Sequence, residues 1–465
     1  MGALQRCHGQ SPSPDVWHAR WTRARNISLR KLAPLSASWP MQRIRHLRWW
    51  IAGLLACASE LSYLDRQSFP VASIEIQKHI AVSDQQYSVL QMLFLLAYSV
   101  MYAGGGRIAD WLGTRKGYSI LILFWSAATG LHGLVTSVFG LGIARFLLGL
   151  GEGGGFPCSA KAISEWFPPE DRALAFGIVN TGSSIGAVVA PPLIALIILT
   201  LDWRWIFFLP CALGIVWALI WWLFYNPPEK QRFITPEELE RIQKSLARGD
   251  IAGATRRRNR SAWIDLFKYR QVWALLSAKF LTDAVWFFFM FWLPRYLGDV
   301  RHLNIKQIGY YAWIPYALAG AGSFAGGWLS STLIRRHATV NFSRKICLGL
   351  SAAIMPVSLL IARSPVGMAL AIFSLALFGH QFWSTILQTL AADIFPSAVV
   401  GSVAGLMGAV GSFGAMLFDL IVGSVLTHSH SYSLVLLSAG LLHPIAFLLI
   451  LLLIPRIEPV AIIAQ

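Results

Sequence analysis

The sequence predicts an all-α membrane protein whose twelve transmembrane helices form two six-helix bundles. The 465-residue chain is 55% hydrophobic and only 13% charged, which is too apolar for an ordinary soluble globular protein. Apolar runs of about 20 residues recur along almost its whole length, and each is long enough as a helix to cross a hydrocarbon core roughly 30 Å thick. A polar segment in the middle of the chain divides these runs into two sets of six.

The boundaries of these apolar runs predict five regions. The spans cover residues 48–68, 87–107, 117–138, 140–162, 173–198 and 203–225, then 272–297, 307–333, 345–363, 367–392, 400–427 and 430–454. The regions are a basic N-terminal extension (1–46), an N-terminal bundle (47–225), a cytoplasmic linker (226–271), a C-terminal bundle (272–455) and a short tail (456–465). Within the linker, a short surface helix is expected after Thr235, because Pro236 and two acids follow it as they do at helix starts.

The N-terminal extension is basic and lacks a helical period. Residues 1–40 carry six Arg or Lys side chains against one acid, Asp15, a composition typical of disorder. Met41 opens a short basic segment that leads directly into the first span, so we expect translation to start there. A transit peptide and a basic tail are the alternatives. A cleavable signal peptide is disfavoured, because no separate apolar segment precedes the first span.

Positive charge lies in alternate loops, which predicts the orientation in the membrane. The formal net charge is +17, and much of it falls after the second span, in the linker and after the eighth span. These residues are Arg115, Lys116, Arg256, Arg257, Arg258, Arg260, Arg335, Arg336, Arg344 and Lys345. The positive-inside rule therefore predicts a multi-pass inner-membrane protein with both termini in the cytoplasm. A nucleic-acid partner is disfavoured, because the arginines lie beside a membrane and have no interleaved aromatic residues.

The two halves repeat each other at an offset of 228 residues. Glu165-Trp-Phe-Pro168 aligns with Asp393-Ile-Phe-Pro396. Small residues align as well: Gly177, Ser184, Gly186 and Ala187 with Gly405, Ser412, Gly414 and Ala415. Such a parallel repeat is typical of transporters that bind substrate between the halves, near the middle of the membrane.

Ionisable residues inside the spans are few. They include Glu60, Asp65, Arg66, Arg107, Arg145, Glu152, Lys279, Asp283, His380 and Asp419. Most lie on spans one, four, seven and ten, which are equivalent positions of a three-helix pattern repeated four times. A charge facing lipid at the centre would cost about 2.5–3.5 kcal/mol, so we expect these side chains to surround one shared cavity. Glu60 and Asp419 lie nearer the membrane boundaries, where helix contacts are the favoured interpretation.

Spacing indicates which charges share a helix face. Arg145 and Glu152 are seven residues apart and Lys279 and Asp283 are four apart, so each pair could partly neutralise itself. Glu152 aligns with His380 in the repeat, so each half offers a titratable group. Two interpretations stay open. A cavity cation binds an anionic substrate while a buried carboxylate carries a proton, or the pairs only hold helices together.

No enzyme chemistry, cofactor or metal is predicted. The five cysteines have no paired spacing, and no nucleophile and base arrangement stands out. Gly149-Leu-Gly151-Glu-Gly-Gly154 matches the dinucleotide GxGxxG pattern, but no strand precedes it. These glycines are expected instead to let neighbouring helices approach closely.

The loop between the second and third spans carries a family motif. Gly106-Arg-Ile-Ala-Asp110-Trp-Leu-Gly113-Thr-Arg115-Lys116 resembles the signature loop of the major facilitator superfamily. The resemblance implies the major facilitator fold and a gating role for Gly106, Asp110, Gly113, Arg115 and Lys116, which would latch the cytoplasmic ends of the halves. The second-half copy, Gly327 to Arg336, lacks the acid.

Within that superfamily, the chain resembles the anion:cation symporters and, more narrowly, bacterial hexuronate transporters from Met41 to about Pro455. The residues that carry this resemblance are Tyr63-Leu-Asp-Arg66, Gln86-Tyr87-Ser88, Leu112-Gly-Thr114, Lys161, Glu165-Trp-Phe-Pro168, Gly182-Ser-Ser-Ile-Gly186, Ala190-Pro-Pro-Leu193, Trp292-Leu-Pro294 and His380-Gln381. It implies that Arg66 and Arg145 contact a sugar-acid carboxylate. The implied hydroxyl or ring partners are Tyr63, Tyr98, Ser183, Gln381 and Trp383.

Asp65 and Glu152 are the proton carriers that the resemblance implies, and Asp283 and His380 are further titratable candidates for coupling. The expected function is proton-coupled uptake of hexuronates such as galacturonate or glucuronate, by a chain expected to be monomeric. A symporter of other organic anions, such as glucarate, galactonate or phosphate-like anions, and an exporter of small metabolites are the alternatives. A nutrient sensor is disfavoured, since the tail from Arg456 is short.

Overall fold

The computed structural model describes residues 43–253, 266–395, 397–429, 431–458 and 460, and these contain helices but no strand. The α-helices are α1 (Leu47–Ile76), α2 (Asp84–Leu112), α3 (Thr114–His132), α4 (Val138–Gly153), α5 (Gly155–Trp166), α6 (Pro169–Thr200), α7 (Trp205–Phe224), α8 (Pro236–Gly253), α9 (Arg270–Asp299), α10 (Ile305–Tyr311), α11 (Trp313–Arg335), α12 (Val340–Ile354), α13 (Val366–Ile394), α14 (Ser397–Ser429) and α15 (Ser433–Leu453). Short 3-10 helices cover Pro228–Lys230 and Met355–Arg363. The predicted extension up to residue 42 lies outside the described residues.

These helices make twelve membrane passes in the predicted order. The helices α4 and α5 meet at Gly154 and form one pass, as do α10 and α11 at Ala312. The 3-10 helix Met355–Arg363 continues α12. By length and composition alone, eight helical segments of the described residues could cross a membrane. The other four passes are the two interrupted ones and the more polar α1 and α3.

The helix α8 lies at one end of the bundle and caps α1. It begins at Pro236, as the sequence predicts. The Glu238 carboxylate accepts hydrogen bonds from the backbone N–H of Leu47 at 2.9 Å and from that of Arg48 at 3.3 Å. The N-cap residue His46 makes no side-chain hydrogen bond to these N–H groups. We call this end of the bundle, where α1, α3 and α6 begin, the linker face. The opposite end, where α2 and α10 begin, is the far face.

The repeated tetrapeptides have the same structural role in both halves. Glu165, near the end of α5, accepts hydrogen bonds from Thr114 at 2.7 Å and Tyr225 at 2.6 Å. In the second half, Asp393 near the end of α13 accepts a hydrogen bond from Arg344 Nε at 2.8 Å. Each acid thus braces the beginning of the preceding pass at the linker face. This agreement supports the internal repeat.

Glycines bring the helices of each half into close contact. A Cβ atom at Gly149 would lie 2.3 Å from the carbonyl oxygen of Phe94 on α2. On α6, a Cβ at Gly182 would lie 2.1 Å from the carbonyl oxygen of Ala56 on α1. Both distances are far shorter than a real contact, so only glycine fits at this separation. The structural interpretation of the GxGxxG pattern is therefore confirmed.

The two halves are sealed against each other toward the far face. Residues 64–73 of α1 and 282–297 of α9 are buried without interruption. Across this seam, Tyr87 donates a hydrogen bond to the carbonyl oxygen of Phe291 at 2.6 Å. Arg295 of the second half forms an ion pair with Asp84 of the first at 2.8 Å. The far ends of the two halves are therefore joined by polar contacts as well as by apolar packing.

Replacing Gly182 by alanine tests the close packing of α1 against α6. Gly182→Ala should lower the stability of the folded protein by about 1–3 kcal/mol, because the new methyl group forces the helices apart. Gly177→Ala on the same helix is the matched control, since a Cβ there meets nothing within 4 Å. Thermal unfolding in detergent measures the difference, and equal melting temperatures for the two variants would contradict this account of the contact.

Candidate substrate site

The centre of the first half contains a buried ion pair between α1 and α4. Arg66 donates to Glu152 Oε2 from Nη2 at 2.9 Å and from Nε at 3.1 Å. Ser62, one turn before Arg66, donates to the same oxygen at 3.1 Å. Both side chains of the pair are almost fully buried, so the pair is shielded from solvent. The other oxygen of Glu152 has no hydrogen-bond partner.

Arg145 and Glu152 are electrostatic neighbours, in line with the partial neutralisation that the sequence predicts, but the direct contact of Glu152 is with another arginine. Seven residues along a helix correspond to a separation of about 10 Å along its axis, which is too far for a direct ion pair when a closer partner exists. Arg66 is that partner, because α1 crosses α4 beside Glu152. The i to i+7 spacing correctly indicates a shared face but not the contact.

Aromatic rings hold the Arg66 guanidinium in place. Its Cζ atom lies 4.8 Å from the ring centroid of Tyr63 and 4.8 Å from that of Tyr98. Such contacts attract a cation through the negative face of the ring. Tyr63 and Tyr98, which the resemblance implies as substrate partners, therefore lie beside Arg66. Ser183, also implied, is half-buried on α6 in the stretch that packs against α1.

Arg145 is a buried cation that no described carboxylate contacts directly; Glu152 and Asp419 are its more distant electrostatic neighbours. Arg145 is 0% exposed. One of its amino groups donates to Gln91 on α2, while Nε and Nη1 are buried without a hydrogen-bond partner. Gln91 was missed by the sequence reasoning; a lone amide inside an apolar span is the signal that could have found it.

Three phenylalanine rings enclose the Arg145 guanidinium. Its Cζ atom lies 4.6 Å from the ring of Phe94, 5.2 Å from that of Phe69 and 5.8 Å from that of Phe291. Phe291 belongs to α9 in the second half, so the seam between the halves closes over Arg145. Phe94 also lies 5.7 Å from the Arg66 guanidinium, and one ring therefore contacts both arginines. Aromatic residues in an apolar helix carry no distinguishing sequence signal, which is why these rings were not predicted.

Asp65 is adjacent to Arg66 in the chain but faces the interior of the first half. Its carboxylate is buried, and Oδ1 has no hydrogen-bond partner. Its electrostatic neighbours include Thr129 on α3 and Cys211 on α7. Successive helical residues point about 100° apart, so Asp65 and Arg66 serve different faces of α1.

The second half contributes an ion pair on α9. Lys279 Nζ lies 2.9 Å from Asp283 Oδ1, as the spacing of four residues predicts. Their side chains are 13% and 12% exposed, whereas those of Arg66 and Glu152 are 4% and 0% exposed. Asp283 is an electrostatic neighbour of Tyr63 and Tyr98 of the first half. The two tyrosines are therefore near both the Arg66 pair and the Lys279 pair.

His380 lies in an aromatic cluster of the second half. Its ring stacks on Trp286 of α9 at 5.3 Å between centroids, and Nδ1 is 3.2 Å from His443 Nε2 on α15. Trp383 is fully buried and packs its ring edge-on to His443 at 5.5 Å. Gln381, next in the chain, is half-buried. His443 was overlooked among the ionisable residues of the spans, although its position inside an apolar run was visible.

Asp419 is buried inside the second half. It is 1% exposed and accepts a hydrogen bond from Trp292 Nε1 of α9 at 2.7 Å. The contact ties α14 to α9 within the second half, so the expected role in helix contacts agrees with the structure.

The gating loop is described only in part. Gly106 and Asp110 lie on α2, but their side chains are outside the described part of the structure. Gly113 has a φ of 76° between α2 and α3, a backbone region that favours glycine. Arg115 donates to the carbonyl oxygen of Trp222 at 2.8 Å and to Asn226 at 3.0 Å, while Lys116 is exposed. The contacts of Arg115 lie at the end of α7, and a latch between the halves stays a prediction.

Residues 55–418 match the family model described as Major Facilitator Superfamily. The chain belongs to this superfamily. The hexuronate transporter of Escherichia coli (strain K12) is 33% identical over 390 residues, which cover 83% of this chain and 89% of the relative. The galacturonate transporter of Dickeya chrysanthemi is 34% identical over 317 residues, covering 68% of this chain and 91% of the relative. The resemblance stated from the motifs is therefore confirmed.

Solved structures agree on the fold. A D-xylose-proton symporter matches with a TM-score of 0.68 at 15% identity, covering 87% of this chain and 98% of that one. An inward-facing bacterial homolog of the human lysosomal transporter Spinster matches with a TM-score of 0.65 at 20% identity, covering 89% and 96%. The predicted fold class is confirmed. The chain is a multi-pass membrane transporter and not an enzyme.

Removing one partner of the buried pair should lower the stability of the folded protein more than removing both partners. Arg66→Met should destabilise the protein by about 3–5 kcal/mol, because it leaves the Glu152 carboxylate buried without its cation. The double variant Arg66→Met with Glu152→Leu should regain much of that loss. Thermal unfolding in detergent provides the comparison, with Lys78→Met in the exposed pair with Glu75 as the control. A double variant no more stable than Arg66→Met would argue against the pair.

Proposed function

We propose that the protein imports hexuronates or closely related sugar acids together with protons, by alternating access across the inner membrane. The observation that carries this proposal is Arg145, a buried guanidinium that forms no direct ion pair with a described carboxylate and has two nitrogen atoms without a hydrogen-bond partner. A buried cation left without an anion is strongly unfavourable, and a substrate carboxylate would supply the missing charge through two parallel hydrogen bonds. Relatives named as hexuronate and galacturonate transporters support the choice of a sugar acid.

The enclosure of Arg145 by both halves supports a rocking mechanism. Phe291 reaches it from α9, whereas Phe69 and Phe94 belong to the first half. Substrate therefore has access to Arg145 only when α9 moves away from α1 and α2. Alternating access in transporters built from two repeats involves this kind of motion of one bundle against the other.

The Arg66 and Glu152 pair offers a route to proton coupling. A proton bound to Glu152 would break the ion pair and release Arg66, which then becomes a second contact for the carboxylate. A carboxylate and a proton that enter together leave the net charge of the site unchanged, which avoids the cost of an added charge in a low-dielectric interior. Asp65, Asp283 and His380 are the other candidate proton carriers.

Polar and aromatic groups around the two arginines are the proposed contacts for the sugar. Tyr63 and Tyr98 flank Arg66, and Ser183 and Gln381 are half-buried on α6 and α13. Trp383 is fully buried against His443, so we propose that it supports the second-half side of the sugar site.

The basic loops give the proposed orientation. Arg115, Lys116, Arg335 and Arg336 lie at the linker face, and by the positive-inside rule we propose that this face and both termini are cytoplasmic. In that orientation the polar contacts of the far face, including the pair of Asp84 and Arg295, close the site on the outer side. We also propose the bundle and linker boundaries stated from the sequence, the gating role of Gly106, Asp110, Gly113, Arg115 and Lys116, and a monomeric state.

Uptake by proteoliposomes tests the function. Purified protein should accumulate radiolabelled galacturonate when the outside is more acidic than the inside, and an uncoupler should abolish accumulation. Glucuronate, glucarate, galactonate and phosphate serve as competitors, because other relatives are named for galactonate and galactarate or D-glucarate. Uptake that does not respond to the proton gradient, or export against it, would contradict the proposed symport.

A further inference from the structure

We propose that Asp283 restricts the substrate to sugar acids with one carboxylate, because it occupies the cation that a second carboxylate would need. This inference rests on the proposed function. The contact that carries it is the ion pair of Lys279 Nζ and Asp283 Oδ1 at 2.9 Å, which lies in the second half, opposite the two arginines of the first half.

The pair is positioned to meet a bound substrate. Its side chains are 13% and 12% exposed, so it is more accessible than the Arg66 pair. Asp283 is an electrostatic neighbour of the phenols of Tyr63 and Tyr98, and the same two rings contact the Arg66 guanidinium. The rings that contact Arg66 are thus near the Lys279 pair as well, and a sugar acid bound between the halves with its carboxylate at the first-half arginines would extend its far end toward Lys279 and Asp283.

The charges of the two halves are not balanced in the same way. In the first half, Glu152 forms its ion pair with Arg66 and leaves Arg145 without a direct acidic contact among the described residues. In the second half, Lys279 is neutralised by its own neighbour one helical turn away. One carboxylate thus has a partner at Arg145, whereas a second one would meet the Asp283 carboxylate and repulsion from a like charge.

Packing keeps Asp283 beside Lys279. A Cβ atom at Gly411 of α14 would lie 2.2 Å from Asp283 Oδ2, so the carboxylate rests directly against the glycine. Oδ1 of Asp283 contacts Lys279, and Oδ2 packs against Gly411 of α14. Little space remains for the carboxylate to swing aside and release Lys279 to a second substrate carboxylate.

Two acyclic sugar acids that differ at one carbon test the inference. D-galactonate and galactarate share their hydroxyl pattern, but galactarate carries a second carboxylate where galactonate has a hydroxymethyl group. Counterflow of labelled galactonate in proteoliposomes should be inhibited only weakly by galactarate. In Asp283→Asn, the galactarate concentration needed for inhibition should fall by a factor of about ten or more. A hydrogen bond to the freed Lys279 charge contributes roughly that factor in affinity.

The controls separate the freed cation from general damage. Lys279→Met combined with Asp283→Asn should return galactarate to weak inhibition. Asp299→Asn is the matched control, since Asp299 forms a pair of the same spacing with Arg295 on the same helix but at the far face. It should leave the ratio of galactarate to galactonate affinities unchanged.

A second measurement covers a variant that does not transport. Stabilisation of purified Asp283→Asn against thermal unfolding should be greater with galactarate than with galactonate, in the reverse order of the unsubstituted protein. Equal affinity for both ligands in the unsubstituted protein, or an unchanged preference in Asp283→Asn, would overturn the inference while leaving sugar-acid uptake intact. Failure of the unsubstituted protein to take up any sugar acid would instead overturn the proposed function.

Discussion

The structure depends on the neutralisation of charged side chains inside a membrane-spanning bundle. A charge within the hydrocarbon region is tolerated when a partner lies beside it. Arg66 with Glu152 and Lys279 with Asp283 satisfy this constraint at the centre of the two halves. Arg145 does not, since an amide and aromatic rings replace the anion. This exception separates a site that can bind an anion from contacts that only hold helices together.

The same constraint links binding to movement. The rings around Arg145 come from both halves, so the cation is shielded only while the far face is closed. A carboxylate that replaces these weak contacts with charged hydrogen bonds changes the relative stability of the open and closed arrangements. Phe94 contacts both arginines, so in the proposed mechanism a substrate at Arg145 and a released Arg66 would act on one ring. The proposal therefore gives the aromatic seam a role in transport in addition to apolar packing.

The sequence predicts the passes, the repeat and the contact between Lys279 and Asp283, because these follow from bilayer thickness and from spacing along one helix. Partners on different helices are not readable in this way. Glu152 pairs with Arg66 because α1 crosses α4 beside it, and no periodicity in either helix carries that information. Gln91 and Phe94 were missed because their importance comes from a cation on another helix. His443 was visible as a histidine in an apolar run, but its contact with His380 depends on how α13 packs against α15.

Counterflow by Arg145→Ala and Glu152→Gln tests the central claim most directly, since it separates substrate binding from proton coupling. Exchange of labelled galacturonate across equal concentrations requires binding and rocking but no net proton movement. We expect Arg145→Ala to lose exchange, and Glu152→Gln to retain exchange while both variants lose gradient-driven uptake. Exchange by Arg145→Ala with an unchanged KM for galacturonate would show that the unpaired guanidinium does not bind the carboxylate, and would contradict the account.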